Sequence, residues 1–211
     1  MTPMLSYAIL GMAYAFAAAV QPGQFQAYVI SRAVANGWRR TLPAALSPLL
    51  SDLFTVSLVL AILTQVPPLF LLVLRLVGGF FLLYLALGAF RTFRSTTLET
   101  AAPASPAHRT VLEAALVNVL NPNPYLAWAL VMGPLFLEAW KKSPSYGVAL
   151  VAAFYVTIIV ATAGIILLAA LAGSFGPKAS RPLVGISAVA LFGFAVYQLV
   201  TASKELLGLV G

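Results

Sequence analysis

The sequence predicts an all-α membrane protein: six transmembrane helices arranged as two three-helix halves of inverted topology, with the first and fourth helices broken. Three observations lead there. Of 211 residues, 62% are hydrophobic and 8% are charged, whereas about 25% are charged in an ordinary soluble domain. The apolar residues fall into six runs, near 5–30, 42–64, 69–91, 110–138, 146–173 and 182–207. Each is long enough to cross a hydrocarbon core about 30 Å thick at about 1.5 Å of rise per residue. A polar connector, 95–109, separates the third run from the fourth and leaves one half at 1–94 and another at 110–211. Little chain remains for a domain outside the membrane, so soluble-enzyme readings fall away.

The first run has no Lys or Arg before Arg32, so the charged start of a secretory signal is missing. It is expected to remain as a span, although Ala17-Ala18-Ala19 imitates a cleavage site. Inside it, Gln21-Pro22-Gly23-Gln24 interrupts the apolar pattern. Pro22 lacks an amide hydrogen and clashes with the carbonyl of Ala18, while Gly23 opens backbone angles closed to other residues. A broken helix is expected there. Gly11, Ala15 and Ala19 form a small-residue stripe that suits close helix packing, within one chain or across a homodimer, and the sequence leaves both open.

Asp52 is the sharpest residue of the second run. It stands ten residues from Leu42 and twelve from Thr64, roughly 15 Å from either interface by helical rise. An aspartate at that depth costs about 2.5–3.5 kcal/mol on insertion scales, so it must face protein or water. Ser47, Ser51 and Thr55 supply a small-polar stripe beside it, and Pro48 frees the carbonyl of Ala44. No basic residue lies in the same span to pair with it. An unpaired carboxyl suits proton coupling or cation binding; a hydrogen-bonded structural Asp is the alternative.

Only Gln65, Pro67 and Pro68 divide the second run from the third, which implies a tight turn. Arg75, early in the third run, is expected to extend back to the outer headgroups along its aliphatic stem. Gly78 and Gly79 permit close helix approach. The connector that follows, with Pro103, Pro106, Glu99 and the only histidine, His108, has a composition that cannot form a core and is expected to be mobile.

In the fourth run, Asn121-Pro122-Asn123-Pro124 repeats the interruption of the first, and its prolines release the carbonyls of Asn118 and Leu120. Irregular backbone at this depth is tolerated where it is buried in protein or lines a wet cavity. Half-helix ends there offer free amides to a carboxylate and free carbonyls to an ammonium. The site expected from the residues is therefore Gln21, Pro22, Gly23, Gln24, Asn118, Asn121, Pro122 and Asn123 near the midplane, with Asp52 as the coupling acid. Glu113 is expected to pair with Arg109 one turn before it, and Glu138 and Glu205 to be solvated beside Lys141 and Lys204. Tyr155, Thr157, Thr162 and Gln198 of the last two runs are equally suited to the cavity and to ordinary packing.

Charge gives the orientation. With six spans, one side collects Arg32, Arg39, Arg40, Arg91, Arg94, Arg109, Lys178 and Arg181, and the other Lys141, Lys142 and Lys204. Eight positives against three put the first side in the cytoplasm and both termini in the periplasm. The net charge of +7 forms no continuous basic face, so a nucleic-acid partner is not expected. The chain has no cysteine and one histidine, which leaves no thiolate or zinc ligand set and no oriented catalytic base; neither metal nor cofactor is expected.

Four motifs, in this order, resemble the LysE/RhtB amino-acid exporters: the Pro22-Gly23 break, Ser51-Asp52, the stretch Leu82-Leu83-Tyr84-Leu85-Ala86-Leu87-Gly88-Ala89-Phe90-Arg91, and Leu120-Asn121-Pro122. Three positions differ from the family's usual pattern: Gln24 replaces a proline, Asn123 a lysine and Ser51 a glycine. The resemblance implies a multi-pass protein of the bacterial inner membrane that exports amino acids or related small solutes by proton antiport, with the helix breaks at the substrate site. An inorganic-cation exporter and a non-transporting scaffold or sensor are the other readings.

Overall fold

The computed structural model describes residues 2–21, 23–62, 68–94, 106–174 and 177–210. Pro22, the turn at Gln65 and Pro67, and residues 95–105 of the connector lie outside the described residues. The described elements are all helical. They are α1 (Pro3–Val20), α2 (Gln24–Asn36), α3 (Trp38–Thr41), a 3-10 turn (Leu42–Leu46), α4 (Ser47–Ile62), α5 (Pro68–Arg94), α6 (Ala107–Val119), α7 (Pro122–Ala127), a π-helical stretch (Trp128–Met132), α8 (Gly133–Lys142), α9 (Pro144–Ser174) and α10 (Pro177–Val210). Gly37, between α2 and α3, has φ +78°, a left-handed angle that costs glycine nothing and lets the chain reverse.

Five helical stretches are long and apolar enough to cross a membrane: Pro3–Val20, Trp38–Val59, Leu72–Arg91, Pro144–Ser174 and Val184–Leu207. The run at 110–138 is cut into α6, α7, the π stretch and α8, no one of which is as long as a bilayer is thick. The helix also starts earlier than expected, because Ala107 to Arg109 of the connector already belong to α6. Local chemistry explains the cuts. Asn121 caps α7 by accepting the Asn123 amide at 3.1 Å, and Pro122 takes the first helical position, where a missing amide hydrogen costs little. Pro134 cannot donate to the carbonyl of Leu130, and the chain widens there so that the Gly133 amide bonds Trp128 instead.

Three packings set the architecture. The small-residue face of α1 (Tyr7, Gly11, Ala15, Ala19) is buried against α9 within the chain. The Tyr7 ring stacks on Tyr146 with centroids 5.8 Å apart, a Cβ on Gly11 would lie 2.3 Å from the Leu150 carbonyl oxygen, and Gly173 meets Val34 of α2. The numbers rise together, so α1 and α2 run parallel to α9. Between α5 and α10 they move oppositely: Arg75 pairs with Glu205, Gly79 meets Leu199, and Phe90 packs edge-on against Phe192. These helices are antiparallel. Finally, α4 runs parallel to α6 and α7, with Ser51 bonded to Asn118 and Thr55 beside Tyr125.

Two expectations are corrected here. Arg75 does not reach out alone, because Glu205 of α10, far away in sequence, comes within ion-pairing distance; Glu205 is therefore ion-paired and partly buried rather than simply solvated. Glu138 is exposed, as expected, and pairs with Lys142 at 2.7 Å, one helical turn on and therefore on the same face. The Tyr7 hydroxyl donates to Glu138 at 3.2 Å and accepts from Lys142 at 2.9 Å, which ties the start of α1 to the end of α8. Glu138 holds the Lys142 ammonium above the usual lysine range. The outer surface is apolar, with Leu53 (74% exposed) and Leu168 (69%) typical of it; in a bilayer such faces meet acyl chains.

Candidate functional site

Where the two breaks approach one another, the structure encloses a cavity of about 170 Å³. Gln21, Gly23, Asp52, Asn118, Asn121 and Asn123, all expected from sequence, line it. Pro22 lies outside the described residues. Gln24 and Pro122 are buried but are not part of the lining. For Gln24 the reason is register: α2 restarts at Gln24 after Gly23, and residues two apart on a helix point to nearly opposite faces. Gln26 takes its place in the wall. Its side-chain amide donates to the carbonyls of Ala18 at 3.2 Å and Ala19 at 3.1 Å, satisfying the orphan end of α1. At the second break, the Tyr125 hydroxyl serves the Val119 carbonyl at 2.9 Å.

Asp52 is 5% exposed. The Tyr155 hydroxyl donates to its Oδ2 at 3.2 Å, and the Trp128 indole also reaches the carboxyl. Ser51 stands beside it, with Oγ 3.5 Å from Oδ1; this hydroxyl accepts from Asn118 Nδ2 at 2.7 Å and bonds the Pro48 carbonyl at 3.1 Å. Asn118 and Ser51 thus join α6 to α4 at the edge of the cavity. The carbonyl that Pro48 frees, that of Ala44, accepts from Ser47 at 2.7 Å. Among the described residues no cation pairs with Asp52. The remaining wall is aromatic and apolar: Tyr14, Trp128, Met132, Phe154 and Ile158.

Glu113 does pair with Arg109, at 2.9 Å, but a second partner was not expected. Arg32 of α2 approaches its other oxygen at 2.6 Å, and the Tyr28 hydroxyl donates to that oxygen at 2.7 Å. This cluster binds the far end of the first run to the start of the fourth. No group of three or more His, Cys, Asp or Glu gathers among the described residues.

A multi-pass helical bundle with a cavity between broken helices, apolar over most of its wall and polar where Asp52 and the asparagines face it, has the build of a membrane protein that passes small solutes. The sequence profile of the LysE type translocators matches residues 16–202, and the chain belongs to that family. The resemblance in the motifs is borne out. No curated protein and no solved structure matches the chain.

Proposed function

We propose that this translocator is a secondary exporter of amino acids or related small solutes, working by alternating access and proton antiport, with Asp52 gaining a proton as substrate leaves. The observation that carries the reading is the cavity itself: two chain breaks and a carboxyl without a cationic partner share one wall. About 170 Å³ holds one small solute, or a handful of waters at roughly 30 Å³ each. In this reading Gln21, Gly23, Asn118, Asn121 and Asn123 contact substrate, Gln26 holds the first break open, and Pro22 and Pro122 shape the breaks.

Packing direction supports six alternating crossings. A two-fold axis in the membrane plane that exchanges the first run with the fourth, the second with the fifth and the third with the sixth turns the parallel α1–α9 pair into the parallel α4–α6 pair. It maps the antiparallel α5–α10 pair onto itself. That is the symmetry of inverted repeats, whose halves rock about a shared site. The arginine-rich end is then cytoplasmic and both termini periplasmic. The protein reconstituted in vesicles and loaded with a panel of radiolabelled amino acids should release one or more of them faster under an imposed pH gradient. Asp52→Asn should abolish the gradient dependence; a variant that kept it in full would refute the proton role.

A further inference from the structure

Asp52 lines a second chamber as well. A groove of about 510 Å³ lies between α4, the π stretch with α8, and α9, and Asp52, Trp128 and Tyr155 belong to its lining. Its other walls are almost wholly apolar. Leu53, 74% exposed, and Val148, 57% exposed, flank it on the outer surface, so its mouth opens sideways toward the acyl chains. The carboxyl and the Trp128 ring thus separate the inter-break cavity from a slot in the bilayer-facing wall.

The chemistry of this slot selects its occupant. A plain acyl chain matches the walls but brings the carboxyl no cationic partner, and an anionic amphiphile is repelled by it. An ammonium on an apolar body matches both: the charge meets Asp52, with the Trp128 indole and Tyr155 hydroxyl beside it, and the body runs out between Leu53 and Val148. Aromatic rings next to a carboxylate favour such cations further, through the ring quadrupole. We propose that the groove is a lateral binding site for amphipathic amines, which reach Asp52 from the bilayer. An amine held there occupies the carboxyl from the side opposite the inter-break cavity. This inference concerns binding alone and stands whatever the direction or coupling of transport.

Purified protein in detergent, titrated with hexylammonium, hexanol and hexanoate, tests it. Hexylammonium should raise the unfolding midpoint saturably, as a ligand of the native state must, while hexanol and hexanoate should not. Asp52→Asn should erase the difference between the amine and the alcohol. Ala152→Phe, which fills the groove from α9 without touching the inter-break cavity, should weaken the amine tenfold or more; Val148→Trp at the mouth does the same if that variant folds poorly. Equal shifts by amine and alcohol in the native protein, as for a slot that holds any acyl chain, would overturn the proposal. So would an amine effect that survives both groove-filling variants, or no amine effect at all.

Discussion

Asp52 owes its interest to what surrounds it. The Tyr155 hydroxyl, the Trp128 indole and Ser51 hold the carboxyl in place without a counter-charge, and these hydrogen bonds offset part of the cost of burying an acid. Tyr155→Phe removes one donor and leaves the ring packed against Phe154. A hydrogen bond to a charged group contributes about 1.5–3 kcal/mol, so the unfolding midpoint should fall by several degrees and transport by about tenfold or more. Flux in vesicles alongside a thermal melt checks both. The acid, the asparagines and Gln21 were legible because a lone polar side chain in an apolar run has no cheap place in lipid. The walls were not: Tyr14, Trp128 and Phe154 give the same hydropathy signal whether they line a cavity or meet acyl chains.

Among the helices, close approach depends on particular glycines. A Cβ at Gly11 would meet backbone of α9, which cannot swing aside, whereas Gly164 of α9 has nothing within 4 Å of its Cβ position. Gly11→Ala should therefore lower stability by about 1–3 kcal/mol, the range for overpacking, and Gly164→Ala should leave it unchanged or raise it slightly; melting the two side by side separates crowding from helix propensity. The stripe at Gly11, Ala15 and Ala19 was readable as a packing face, but its partner α9 was not, since the contact spans 139 residues. Element breaks were legible through proline and asparagine chemistry. Their exact register was not, and that register put Gln26 rather than Gln24 in the wall. Similarly, the Arg109–Glu113 pair follows from helical spacing, while Arg32 arrives from α2 by folding alone.

At the scale of the whole molecule, the six runs, the connector and the charge bias all had signals in composition; five helical stretches are long and apolar enough to cross a membrane, and the family match covers 16–202. What sequence could not give was which runs touch. The Arg32–Glu113–Arg109 cluster is one such junction, joining α2 to α6 beyond the cavity. If it latches the cavity on that side, Glu113→Gln should cost about 2 kcal/mol of stability, the worth of a hydrogen bond to a charged group. It should also raise leak of solute in the absence of a gradient, measured as counterflow-independent efflux from vesicles. The central claim is that the two breaks enclose a water-accessible compartment. Because the chain has no cysteine, single substitutions report on it cleanly: Ala18→Cys and Ala127→Cys in the cavity wall, with Leu168→Cys on the outer apolar face as control. With a membrane-impermeant thiol reagent, the two wall positions should label, and transported solute should slow them, while the control stays unreacted; wall positions as inert as Leu168→Cys would contradict the existence of that compartment.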